Sequence, residues 1–446
     1  MKRQMKKLLF TVTALIMFIF LLPMHNAEAA TKKSTLKSIK VSSKKVKSDT
    51  VYNNIMYHSS NDKYYMAIRE TESGDIVLSY TTSGTKYTDI DLVDLVKEKF
   101  GKDISDISFY DLTCLDDIFY ITGKYSSEDY EYKNFYITTS DGKKITGDDN
   151  LLNTIGGGFE LGYLYKVGKT FIYTVDEGQV MGGGLTYQAA VYTSKDLKTW
   201  KEVLTPENNK GSALGQMWTL ECITEKGMII TANKDVILED DYYWYPEQLY
   251  YTTDFKTFKK IESGISYNDM GANVYSAFNN TTLYRMEKSW DKDDNFTGLK
   301  LLTSTNFIKW KTILNYKESE YSSPTKRFYR NSTDNKLFFA VEREKDNSLF
   351  IYSSKTKSFI EYSTSLKASL FGNGVKDKND KYSYTIYNDK YILVSSDSYK
   401  TSYKFKAPIG DIRGLGILDG NLIILGENNY YIPIKSINSA IAASKK

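Results

Sequence analysis

Short apolar runs rich in Tyr and Thr, polar at about every second position, open at Lys63, Asp117, Lys169, Gly227, Thr281, Lys336 and Lys390, at steps of 52 to 58 residues. A last run opens near Asn421, only 31 residues further on. Alternation of this kind predicts strands with one face toward a core. Each full interval holds four of them, as Gly162 to Val167, Lys169 to Val175, Gln188 to Thr193 and Thr199 to Leu204 illustrate. Repetition of four short strands predicts an all-β fold, a single β-propeller of four-stranded blades spanning residues 50–436. The seven regularly spaced runs make seven blades. Eight remains open, because residues 382 to 435 carry two strand clusters with no fourth strand of their own. Leu36 to Val41 is expected to lend the last blade its outer strand and so close the ring, and residues 437–446 read as a tail. A pair of β-sandwiches is the alternative for the same strands.

A seven-residue pattern follows three of the strands: Ser194-Lys195-Asp196-Leu197-Lys198-Thr199-Trp200, Thr252-Thr253-Asp254-Phe255-Lys256-Thr257-Phe258 and Ser304-Thr305-Asn306-Phe307-Ile308-Lys309-Trp310. Its hydroxyl and its Asp or Asn are suited to accept backbone N–H groups across a turn, while the closing aromatic packs under the next strand. The pattern resembles a shortened Asp-box, the Ser-x-Asp-x-Gly-x-Thr-Trp hairpin of the sialidase-like propeller superfamily, lacking one residue and the Gly. It is also similar to hairpins in propeller glycoside hydrolases acting on arabinans, xylans and fructans. The resemblance covers about residues 50 to 435. It implies a box that is structural and lies on the face opposite the active site, so that Ser194, Asp196 and Trp200 are not catalytic.

The first residues stand apart from the repeats. Lys2, Arg3, Lys6 and Lys7 precede an apolar run from Leu8 to Leu22, and Ala27-Glu28-Ala29 offers small residues for cleavage. This predicts a secretory signal peptide over 1–29 and an exported protein, secreted and extracellular or associated with the cell wall. The run is shorter than the roughly 20 residues a membrane span needs, and no transmembrane segment is expected after its removal. Charge is nearly balanced in the remainder, but 30–49 is a basic segment with Lys32, Lys33, Lys37, Lys40, Lys44, Lys45 and Lys47 before its first acid, Asp49. Such a segment suits an anionic envelope polymer, or is a solvated leader. Nothing points to nucleic acid. Cys114 and Cys222 fall in inner strands of non-neighbouring blades, too far apart to bridge.

Composition narrows the chemistry further. With His58 the sole histidine after the signal segment, zinc sites built on several His are excluded. Gly156 to Gly158 and Gly182 to Gly184 lack the Lys and Ser/Thr of a phosphate loop. No cofactor is expected; the alternative is calcium at Asp291, Asp293 and Asn295, against which Phe296 and Leu302 stand where a Gly and a Glu are wanted. The loops between second and third strands, opposite the box, are long in blades three to five. They carry Asp176 and Tyr187, then Asp240, Asp241, Tyr243 and Trp244, then Trp290. This acidic, aromatic rim suits carbohydrate, whose apolar faces stack on rings while its hydroxyls donate to carboxylates. The expected partner is a glycan or envelope polymer; a protein partner is the alternative. If the chain is an enzyme, a glycoside hydrolase needs paired carboxylates, and Glu70, Asp176, Glu287 and Glu342 end second strands. A sialidase-like site also wants three arginines, for which Arg69, Arg285 and Arg343 are the candidates.

Overall fold

The computed structural model describes residues 32–445 except 47–49, 128–131, 150–160, 176–178, 182–183, 187–189, 204–217, 225, 234–236, 240–241, 245–246, 261–272, 277–282, 291–295, 307, 318–324, 331–336, 344–347, 354–357, 363–373, 378–379 and 397–399. The described residues form eight sheets of four or five strands, in chain order around a β-propeller. Sheet one is Tyr52–Ser60, Tyr65–Thr71, Ile76–Thr81 and Thr88–Asp91; sheet two is Ser105–Leu115, Ile118–Ser126, Tyr132–Thr139 and Ile145–Asp148. Sheet three is Leu161–Val167, Thr170–Val175, Ala190–Ser194 and Lys201–Glu202; sheet four is Trp218–Thr224, Gly227–Asn233, Glu247–Thr252 and Lys259–Lys260. Sheet five is Asn273–Ser276, Leu283–Trp290, Phe296–Ser304 and Lys311–Lys317; sheet six is Thr325–Arg330, Leu337–Arg343, Ser348–Ser353 and Ser358–Tyr362.

The last two sheets are built differently. Sheet seven has Tyr382–Tyr387, Tyr391–Ser396 and Thr401–Lys406, with the two-residue Val375–Lys376 on its inner edge; sheet eight has only Gly414–Leu418, Asn421–Leu425 and Tyr430–Pro433. Their outer strands come from the N-terminal segment. Thr35–Ser38 pairs in parallel with Thr401–Lys406, and Lys44–Lys45 pairs antiparallel with Tyr430–Pro433. Upstream, Lys32–Lys33 adds a fifth, parallel strand to sheet six. The 36–41 segment therefore edges the penultimate sheet rather than the last, and eight, the alternative count, is what the strands make. The residues expected as a tail instead carry most of a helix, α2 (Ile434–Ala443), whose Ile434, Ile437 and Ile441 are buried against sheets seven and eight. An earlier helix, α1 (Leu92–Phe100), is capped by Asp91, which accepts from the Asp94 N–H, and buries Leu92 and Val96 between sheets one and two.

Second strands are apolar on both faces, because each is covered by a sheet on either side. Met66 and Ile68 pack toward Phe119, Ile121 and Phe135 of sheet two, whereas Tyr65 and Ala67 pack toward Leu418, Ile423 and Leu425 of sheet eight. That second set closes the ring. Arg413 of sheet eight adds side-chain hydrogen bonds to the carbonyls of Tyr52 and Asn53, and Asn421 Nδ2 donates to the Ser83 carbonyl.

The box turn joins third to fourth strands in sheets one to five, two more sheets than the aromatic pattern shows. In sheet three Ser194 Oγ accepts from Asp196 and Leu197 N–H, and Asp196 Oδ1 accepts from Lys198 and Thr199 N–H at 2.9 and 2.8 Å. These N–H bonds hold the Asp196 carboxyl below its usual range. Thr139 and Asp141 make the same bonds in sheet two, and Thr81 accepts from Ser83 and Gly84 in sheet one. In sheets one to four the fourth position is left-handed, at φ 73° for Gly84, 74° for Gly142, 62° for Leu197 and 54° for Phe255. It points at the preceding sheet. A Cβ on Gly84 would meet Ile423 of sheet eight at 2.9 Å, and one on Gly142 would meet the Tyr80 ring of sheet one at 2.8 Å. Where the gap is wider, Leu197 fills it and is buried among Leu115, Tyr120 and Tyr136 of sheet two. At this position a side chain supplies packing in exchange for backbone strain.

Candidate functional site

In sheets one to six, first-to-second and third-to-fourth connections share one end of the sheet, so second-to-third connections emerge at the other. In sheet one that connection is a tight turn, with Gly74 N–H donating to the Thr71 carbonyl. Sheets three and four fold theirs into separate hairpins, Gln179–Met181 against Gly184–Thr186 and Ile237–Glu239 against Tyr242–Trp244. Sheet five lengthens the strands themselves, and a bulge between Ser289 and Trp290 leaves Trp290 opposite Phe296. Tyr243, Trp244 and Trp290 therefore lie in paired strands at the rim. Asp176, Tyr187, Asp240, Asp241, Asp291, Asp293 and Asn295 lie outside the described residues. Among the described residues there is no cluster of three or more His, Cys, Asp or Glu able to hold a metal ion.

The arginine and carboxylate candidates are dispersed through the sheets. Arg69 is fully buried between sheets one and eight, while Arg285 is buried in sheet five over the Trp310 ring at 5.9 Å. Glu70 is half-buried and points to the opposite face of its strand from Arg69. Glu287, Glu342 and Arg343 are held in second strands by antiparallel pairing with Lys300, Leu349 and Ser348.

A second set of residues, not singled out by the sequence, occupies the first strands of sheets one to three. Register is interrupted in each: between Ile55 and Tyr57, between Phe109 and Asp111, and between Leu161 and Leu164. Bulges re-aim side chains, and these three carry Tyr57, Tyr110 with Asp111, and Tyr163. Tyr163 is 62% exposed although its strand is innermost. Burial pushes the Asp111 carboxyl up to about 6, with the Leu112 N–H pulling the other way. Burial, and then the Asp111 charge, raises both Tyr57 and Tyr173. The buried hydroxyls of Tyr173 and Thr122 face each other without closing a hydrogen bond. No local motif announces this cluster; only three bulges in successive inner strands create it. Nearby Cys114 is a free thiol, held up to about 11 chiefly by burial. His58 stacks on Tyr65 at 5.8 Å, and burial followed by the Arg69 charge lowers its pKa.

No protein-family model matches the chain, and no curated protein is similar to it at a significant level. Solved structures are similar in fold. A polysaccharide lyase of family 25, an ulvan lyase, overlaps 90% of this chain and 99% of its own at 9% identity and a TM-score of 0.38. Sqt1 of Saccharomyces cerevisiae overlaps 90% and 99% at 7% identity and 0.42, and the Bombyx mori family 32 β-fructofuranosidase BmSUC1 overlaps 86% and 92% at 8% and 0.31. At these scores the overlap is too loose to transfer a residue or a role.

Proposed function

We propose that this propeller is exported and binds a glycan or cell-envelope polymer at the end of the ring built by sheets three to five. One observation carries the reading. Three consecutive sheets elaborate the same connection, two as extra hairpins and one as lengthened strands, while sheet one closes it in a tight turn. The sequence places aromatics and acids in those elaborations, the combination that stacks on sugar rings and accepts from their hydroxyls. Residues 1–29 act as the export signal. An array of bacterial and host glycans, scored for retention and for released sugars, tests this. Retention that falls when Trp244 or Trp290 is replaced by Ala supports it; a protein that ignores every glycan overturns it.

Hydrolysis is the second reading, and Asp111 is the observation that favours it. A carboxyl holding its proton up to about 6 is suited to donate that proton to a leaving oxygen. Release of sugars by the protein but not by an Asp111→Asn variant supports it.

A further inference from the structure

The seam between sheets one and eight contains a charge that the protein does not balance. Arg69 is 0% exposed, in the middle of the ring's closing core. Its guanidinium lies over the rings of Tyr52 at 4.4 Å and Tyr87 at 4.9 Å. Nη1 donates to Asn429 Oδ1 at 3.1 Å. Nε and Nη2, which share the opposite edge and form its two-donor fork, close no hydrogen bond with the protein, although the Tyr87 hydroxyl approaches the guanidinium. The acid of this network is committed elsewhere: both oxygens of Asp89 accept from the Tyr52 hydroxyl, at 3.0 and 2.9 Å, and one also accepts from Thr50. Further buried donors without partners converge on the same place. They are Asn429 Nδ2, on the amide whose oxygen holds Nη1, and the hydroxyls of Tyr65 and Tyr87. Both hydroxyls feel the guanidinium charge, which opposes the rise that burial imposes on them.

A buried cation without a counter-charge costs several kcal/mol even after relaxation. Donors left unsatisfied around it add to that cost. Every orphaned group here can donate, and the only fixed charge among them is positive. The edge is sealed from solvent, so a bulky or polymeric acid has no approach, and one guanidinium balances one negative charge rather than two.

We propose that Arg69, Asn429, Tyr65 and Tyr87 form a binding site for a small monovalent inorganic anion of chloride size, seated in the Nε–Nη2 fork, and that this anion is part of ring closure. The site reaches the N-terminal segment directly. Val46 N–H donates to the Asn429 carbonyl at 2.8 Å, one residue beyond the strand that completes sheet eight. Anion binding and docking of that segment are therefore linked through one residue.

The test is thermal unfolding of the full chain at constant ionic strength, with chloride exchanged for methanesulfonate. The expected result is a Tm that climbs with each tenfold rise in chloride, as mass action requires of a ligand bound only by the folded state. Bromide should reproduce the effect, and its anomalous signal in a crystal should sit at the Arg69 fork. Tyr87→Phe keeps the ring against the guanidinium and removes one donor, so half-saturation should weaken by about tenfold. Arg69→Met should abolish the response; should it fail to fold, Tyr87→Phe carries the test alone. Tm values set by ionic strength and indifferent to anion identity overturn the proposal. So does a chloride response unchanged in Tyr87→Phe, or bromide found only at the surface as an adventitious ion.

Discussion

The seam between sheets one and eight and the rim of sheets three to five are made from the same four-strand repeat and spend it in opposite ways. At the seam the connections are short, the side chains are interior, and polar groups such as Arg69, Tyr65 and Asn429 are enclosed. At the rim the core strands are ordinary and the connections carry the additions. A closed ring of sheets leaves only short, protected edges once its last sheet is complete. Here completion depends on strands from residues 35–38 and 44–45, far in sequence from their partners. The protein concentrates its ring-closing interactions in one seam and is free to elaborate elsewhere.

The largest expected effect comes from removing that closure. A chain starting at Lys47 loses the edge strands of sheets six, seven and eight and the buried side chains of Ile39 and Val46. Burial of two such side chains is worth about 3–6 kcal/mol. Urea unfolding should show at least that loss, with a broadened transition; stability within about 1 kcal/mol of the full chain would remove the segment from any closing role.

Next comes Asp111, in the innermost strand of sheet two between the two regions. Its folded pKa of about 6 stands above the ordinary 3.8, so the folded state binds the proton more tightly than the unfolded one. The stabilisation is complete below the ordinary value and is lost as pH rises through about 6. Asp111→Asn should therefore stabilise the protein by about 1–3 kcal/mol at pH 8 and by almost nothing at pH 4. A variant less stable than the parent at pH 8 would mean that the charged carboxylate is held by a partner.

A smaller pair of variants probes the box turn at the seam. Gly84→Ala introduces a Cβ at φ 73°, 2.9 Å from Ile423, whereas Gly420→Ala does so at φ 66° with nothing within 4 Å. Strain alone costs about 1 kcal/mol, and the clash should add about 1–2 at Gly84. Equal costs at both positions would show that the turn of sheet one does not bear on sheet eight.

Much of this architecture is readable from the chain, because period-two strands and a turn with its own side-chain acceptors leave local marks. The turn is marked by its hydroxyl and its left-handed fourth residue rather than by the closing Trp or Phe, which is why Thr81 and Thr139 are hidden from an aromatic pattern. The pattern also stops before the end for a physical reason. Sheets seven and eight have no third-to-fourth turn, since their outer strands arrive from the N-terminus. Arg69 stands out as one of few arginines, but its burial against two tyrosines depends on sheet eight folding back. Asp111 has no local mark, since bulges in three strands separated by more than fifty residues bring its neighbours together.

The rim variants should change stability least and binding most. Trp244 sits in a three-residue strand of an accessory hairpin outside the four-strand sheet, and Trp290 at the bulged last position of the second strand of sheet five. Replacing either by Ala should move the unfolding midpoint by no more than about 0.5 kcal/mol, as expected of positions away from a core. Loss of a stacking ring should cost about 0.5–1.5 kcal/mol of glycan affinity, roughly a two- to tenfold drop. The comparison sharpens if the double variant loses retention while keeping the parent's stability and chloride response, because binding would then be separable from closure. It breaks if either substitution unfolds the protein, for then the elaborated connections are part of the core and the rim is structural.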